Sequence, residues 1–273
     1  MQNRAYNLPR VHRFFLNRYY LEQYVVNKGF EYVDDLNKGL LCMPSAEFEE
    51  DATFMITNNF LNRAYLPQVK GYEWDKRGTF EYSFDVTLWG RLEIAYICTL
   101  IDSHSQREGV HTINQDRHFA ARVAITKDGE WNQKWLPAIA IGLSDPVTGS
   151  GGDYIDDNVG ATGNGFFNRY YISASKRFAT SWGDVSGHVG FQYSRRKDGM
   201  PTGPQVAVTW NPVWLNNPEW FMNSFRATLE YDARYVNFGI NASIWKDRFE
   251  FMAMLLNMRY PMVGARFKLA LPN

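Results

Sequence analysis

The residues of this chain that could do chemistry fall into two groups: scattered histidines, and charges set at a regular spacing. His104, His111, His118 and His188 would each be a general base if a serine and an orienting carboxylate stood beside it. Their spacing assembles no such triad, and no HExxH, CxxC or P-loop is present. A glycine-rich stretch carries Asp145, Asp153, Asp156, Asp157 and Asn158, hard oxygen ligands of the kind that hold Ca²⁺. Their spacing matches no EF-hand, so a solvated loop is the expectation, and no catalytic residue, metal or cofactor is assigned. The regular charges are more informative. Glu81, Asp85, Arg91, Glu93, Arg122, Arg169, Arg177, Arg226, Glu230, Arg248 and Arg266 are placed on the polar side of segments that alternate with a period of two. Asp232, Glu250 and Lys268 extend the set. Charges of both signs gathered on one face of a closed sheet are expected to knit across the enclosed space and occlude it. An open polar conduit is the alternative.

The elements that must position these charges are strands. The pattern is plainest over residues 135–180. There Ile139, Ile141 and Leu143 oppose Ala138, Ala140 and Gly142. After a long polar connection, Tyr170, Ile172, Ala174 and Phe178 oppose Arg169, Tyr171, Ser173, Ser175 and Arg177. The same alternation recurs from Ala52 to Leu269, as in Phe80, Tyr82, Phe84 and Val86 against Glu81, Ser83 and Asp85. Counting the segments predicts an all-β, antiparallel transmembrane barrel of about 12 strands, each about ten residues long, the length a tilted membrane-spanning strand needs. Alternate connections run long (Leu61–Thr79, Asp102–Asp116, Asp145–Phe166, Arg195–Thr202) and short (Trp89–Gly90, Lys127–Gly129, Ser181–Trp182). Outer-membrane barrels show this asymmetry, with long loops outside and short turns in the periplasm. The 211–221 turn is long for its side, and a soluble β-sandwich would alternate too.

Composition agrees. The formal net charge is zero, which removes the basic footprint of a nucleic-acid binder. Aromatics reach 16%, with 9 Trp and 16 Tyr, as interfacial girdles require. No apolar run is long enough for a transmembrane helix. MQNRAYNLPR lacks an apolar core, so the expectation is a bacterial outer-membrane chain whose signal peptide has been removed. Cys42 and Cys98 form no disulfide framework, and spacing does not say whether they pair. Residues 1–38 differ from the rest: Val11, Phe14, Phe15, Leu21 and Val25 recur at helical spacing behind Pro9. This predicts an amphipathic helix over Arg10–Lys28 in an N-terminal extension, with the barrel over 39–273. Near the chain end, Gly264, Phe267 and Leu269 resemble the signal by which barrel-assembly machinery recognises its clients.

Two segments resemble a known family. GLLCMPSA (Gly39–Ala46), followed by an acidic stretch, resembles the run that opens the barrel in the YjbH-like outer-membrane family. LPAIAIGLSD (136–145), the glycine-rich loop with Thr162-Gly163, and the run from Tyr171 through Ser175, Lys176 and Arg177 to Phe178 resemble the same family. The resemblance implies a non-enzymatic barrel linked with exopolysaccharide assembly or export, or an accessory subunit of an envelope complex. Its expected partners are outer-membrane lipids, the barrel-assembly machinery and other envelope or secretion proteins. A small pore and a membrane-embedded lipid hydrolase are the alternatives.

Overall fold

The computed structural model describes residues 42–66, 78–104, 111–146, 165–196, 199–216 and 221–271, without the side chains of 101–104 and 111–114. The expected helix Arg10–Lys28, residues 39–41 of the opening run, and Asp153, Asp156, Asp157 and Asn158 lie outside the described residues.

Twelve strands close into one antiparallel barrel. They are β1 (Thr53–Asn62), β2 (Gly78–Leu88), β3 (Leu92–His104), β4 (His111–Thr126), β5 (Ala138–Ser144), β6 (Arg169–Thr180), β7 (Gly183–Tyr193), β8 (Gly203–Pro212), β9 (Met222–Tyr231), β10 (Val236–Ile244), β11 (Phe249–Leu256) and β12 (Tyr260–Ala270). Each strand pairs with its sequence neighbours, and β12 returns to β1 with Thr53 opposite Ala270 and Phe60 opposite Val263. Closure removes both sheet edges, so no ladder is left with unpaired N–H and C=O groups in a solvent that cannot bond them.

Strand lengths depart from the uniform ten. β5 has 7 residues, while β3 has 13 and β4 has 16. The long β3 and β4 absorb most of the expected 102–116 loop, and their ladder runs to His104 opposite His111. The β4–β5 connection is longer than the three residues expected, because a 3-10 turn over Glu130–Asn132 is inserted. The β2–β3 connection is a tight turn: Trp89 and Gly90 both have positive φ and Arg91 N–H donates to Leu88 O. Two successive left-handed residues match the twist of a hairpin, and glycine takes the second at no steric cost.

Burial is inverted relative to a water-soluble protein. Glu93, Arg122 and Arg169 are almost wholly buried inside, whereas Ile172 (51% exposed), Val189 (57%) and Phe119 (63%) point outward. An outer surface this apolar is compatible with lipid contact rather than water. Its lower border is aromatic: every short-side connection carries an exposed tryptophan, namely Trp89, Trp131 with Trp135, Trp182, Trp214 and Trp245. Indole rings with an apolar body and one N–H donor settle at a membrane–water boundary. Cys42 and Cys98 are both free: Cys42 lies inside the barrel, and Cys98 falls on the outward parity of β3.

Candidate functional site

The site is the lumen, and it is filled by the protein's own chain. Twelve strands spaced ~4.8 Å apart and tilted by ~40° make a ring of roughly 12 Å backbone radius. A chain on the axis then sits about as far from the wall as two packed sheet layers do from each other, ~10 Å, so side chains from both fill the gap. Residues 42–51 occupy that place. Cys42 packs at the long-loop end beside Leu61, Met254 and Leu256. At the other end, Trp89 N–H of the β2–β3 turn donates to Asp51 Oδ1. Ten residues fully extended would reach ~33 Å; bends at Cys42, Met43 and Ala46 make this segment shorter than that. We refer to this segment as the strap.

A chain in an enclosed space must have its backbone groups satisfied by the walls. Glu230 on β9 accepts Cys42 N–H (2.7 Å) and Met43 N–H (3.3 Å). Arg169 on β6 donates to Cys42 O (3.1 Å), and Arg122 on β4 donates to Ser45 O (3.2 Å). Ser175 Oγ accepts Ala46 N–H (3.0 Å). Strap side chains take part as well. The Arg122 guanidinium lies 4.1 Å from the centre of the Phe48 ring, Glu49 meets Lys268 at 3.4 Å, and Met43 packs against Ala207.

Other wall charges meet one another or neighbouring hydroxyls. Arg122 Nη2 is 2.7 Å from Glu93 Oε2, and Arg226 and Arg266 approach Glu250 at 3.9 and 3.7 Å. Glu81 accepts Thr99 Oγ1 (3.1 Å), and Asp85 accepts Ser83 Oγ (2.7 Å). Thus Glu81, Asp85, Glu93, Arg122, Arg169, Arg226, Glu230 and Arg266 are all buried inward. Two expected lumen charges lie elsewhere. Arg91 sits in the β2–β3 turn against Glu130 of the next short-side connection, and Arg248 lies exposed in the β10–β11 turn, 5.4 Å from the Trp245 ring centre. In both, the alternation runs past the end of the ladder into a turn, where parity no longer fixes direction. Arg177 is half-buried near the short-turn end of β6, 4.0 Å from Asp184. The luminal side of β11 carries Met252, Met254 and Leu256, so the lumen's long-loop end is apolar. On β12, Gly264 falls on the luminal parity, while Phe267 and Leu269 face outward, Phe267 against Phe249 with ring centres 5.1 Å apart.

Sequence spacing did not reveal one pairing: His188 Nδ1 is 2.8 Å from Ser175 Oγ, and Nε2 is 3.3 Å from Thr209 Oγ1. A nucleophilic serine needs its histidine oriented by a carboxylate and its oxygen open to substrate. Here a hydroxyl stands at the second nitrogen, and the serine oxygen already accepts the strap's Ala46 N–H. The group reads as an anchor for the strap. Ser175 and His188 stand directly opposite each other on neighbouring β6 and β7, and Thr209 lies on the next strand; periodicity puts all three on the luminal face, but only the hairpin register pairs them.

No family model and no curated protein matches this chain. Among solved structures it is similar to a mutant of the Rhodopseudomonas blastica porin (13% identity, TM-score 0.28), with 70% of this chain and 55% of the porin covered. This chain therefore spans about half the length of that porin. A second mutant of the same porin is 10% identical with a TM-score of 0.30, covering 80% of this chain and 74% of its own. The β domain of the Bordetella autotransporter BrkA is 11% identical with a TM-score of 0.32, covering 81% of this chain and all of its own.

Proposed function

We propose that this protein is a closed, non-enzymatic outer-membrane barrel that serves surface exopolysaccharide assembly or export as a structural or accessory subunit. One observation carries the closed, non-enzymatic reading: the strap fills the lumen, and its backbone is met by Glu230, Arg169, Arg122 and Ser175. These four wall side chains are thereby engaged with the protein's own chain. The polysaccharide role is supported by the family-like runs GLLCMPSA and 136–178, the first of which supplies the strap itself. Barrel-assembly machinery would place such a protein in the outer membrane, with lipids around it and envelope or secretion proteins as neighbours.

Deleting the gene and restoring it on a plasmid tests the role: surface glycan should fall and recover. Unchanged glycan would overturn the polysaccharide assignment. A small channel is the second reading. Among the described strap residues only Pro44 lies in a β-bridge, and apart from Asp51 on the Trp89 N–H the contacts above end on wall side chains, so the strap can leave without unzipping the barrel. Planar-bilayer recordings of purified protein should show no steady conductance; sustained unitary steps would favour the channel.

A further inference from the structure

The wall beneath the β5–β6 connection holds a second constellation, apart from the strap. Asp116 and His118 lie two residues apart on β4 and so share its luminal face. Asp145 follows β5, fixed there by its N–H donating to Phe119 O (2.9 Å). All three side chains are buried, and one ligand atom from each lies within 4.8 Å of the others. The Phe167 ring stacks on His118 with centres 5.3 Å apart, and Phe167 N–H donates to Asp145 Oδ2 (3.3 Å). Asn168 Nδ2 donates to Asp145 O (2.8 Å), holding the backbone of this corner.

The polar atoms at the centre lack what burial demands. Both carboxylate oxygens of Asp116 and both ring nitrogens of His118 are buried without a hydrogen-bond partner. Their mutual approach, Asp116 Oδ1 to His118 Nδ1 at 3.7 Å, is beyond hydrogen-bond reach. A carboxylate and an imidazole buried in this way are costly unless a cation or donor meets them. We propose that Asp116, His118 and Asp145 form a binding site for a divalent first-row transition ion, with zinc as the reference. The donor set, one imidazole and two carboxylates, suits zinc, manganese or iron(II) better than the thiolate-seeking soft ions. Zinc–nitrogen and zinc–oxygen bonds of ~2.0–2.2 Å put neighbouring ligand atoms roughly 3.4 Å apart, so side-chain rotations that close the group by up to ~1.4 Å complete the three protein ligands of the site. The bound ion would pin β4, the end of β5 and the base of the β5–β6 connection together at the long-loop end of the barrel.

The test uses the full chain in detergent, stripped with a chelator and titrated with zinc alone. One equivalent should bind to the wild type, and Asp116→Asn and His118→Gln should each weaken binding at least about tenfold. Each variant must keep the heat-modifiable gel mobility of a folded barrel. Cys42→Ala controls for a second buried group, Cys42 with Glu230 and Asp232, and should leave the affinity unchanged. X-ray absorption on the zinc-loaded wild type needs no variant and should show nitrogen and oxygen neighbours with an imidazole and no sulfur. The proposal is overturned if the wild type takes up no stoichiometric zinc, if the folded variants bind as tightly as it does, if Cys42→Ala abolishes binding, or if sulfur appears in the shell.

Discussion

Arg122 joins the wall to the strap, and its removal has a calculable effect. Its guanidinium meets Glu93 Oε2 through Nη2 (2.7 Å) and Nε (3.3 Å), reaches Ser45 O through Nη1, and covers the Phe48 ring. Both partners of the ion pair are essentially inaccessible, with side chains 1% and 0% exposed. Two unit charges about 4 Å apart attract by ~4 kcal/mol at an effective dielectric of ~20. Removing one partner of such a buried pair typically destabilises by ~3–5 kcal/mol, because the other charge stays behind in a poor solvent. Arg122→Met should therefore lower stability by ~3–5 kcal/mol. Glu93→Gln, which keeps an acceptor oxygen near the guanidinium, should lower it by ~1.5–3 kcal/mol. Joined in one chain, the two substitutions remove both charges, and the loss should fall short of the sum by ~1.5 kcal/mol or more. Urea unfolding in micelles, followed by tryptophan emission and gel mobility, reads all four corners of this cycle. Additivity within ~0.5 kcal/mol would show that the pair is not coupled, and the account of the lumen as a set of charge-anchored contacts would fail with it.

The strap's upper clamp is open to a kinetic test. Glu230→Gln replaces the carboxylate that accepts Cys42 and Met43 N–H, weakening each bond by ~1–2 kcal/mol, and in a Cys98→Ala background Cys42 should then react faster with a maleimide; an unchanged rate argues against clamping. On the lipid side, Val189→Arg near the middle of β7 should destabilise by ~2–4 kcal/mol and impair membrane assembly, whereas Ser186→Ala on the luminal face of the same strand should have a far smaller effect; equal effects would contradict the inside–outside assignment. At the short-turn end, Lys127 N–H (3.0 Å) and then the Arg91 guanidinium hold the Glu130 carboxyl below the usual glutamate value of 4.5. A depressed folded-state pKa means the contribution is full above ~4.5 and lost as pH falls through the lower folded value. The gap in unfolding midpoint between wild type and Glu130→Gln should thus narrow below ~pH 4.5, and a constant gap across that range would remove Glu130 as its source.

The barrel was legible because a membrane-spanning strand imposes a local, repetitive demand. Outward residues meet lipid and inward ones do not, so Phe84, Ile172 and Val189 alternate with Asp85, Ser173 and His188 wherever a ladder persists. That reading weakens where the ladder stops, and alternation alone puts Arg91 and Arg248 in the lumen although each lies in a turn. It weakens again where the inward face is apolar. Met252, Met254 and Leu256 blur the alternation of β11, yet they are luminal, and Met254 and Leu256 pack with Cys42. The Asp116–His118–Asp145 group was invisible for a third reason: two of its members are adjacent in parity on β4, but the third arrives from the end of β5 through tertiary pairing alone.

The strap left the weakest local trace and explains the most. Residues 42–51 have no strand period, because a chain enclosed on all sides has no solvent-facing side to be polar. Their imprint is instead on the wall. An ion conduit can be lined with one sign of charge, whereas an enclosed polypeptide needs acceptors for its N–H groups and donors for its carbonyls. The lumen supplies both to the strap at specific heights: Glu230 for two N–H groups, Arg169 and Arg122 for two carbonyls, and Ser175 for a further N–H. The mixed charges, which from sequence could equally line a conduit, are therefore in part the complement of a backbone. It follows that the strap and the wall charges depend on each other. Removing residues 42–51 would leave Arg169 and Glu230 without the strap's backbone groups, so the barrel should lose stability as well as its plug.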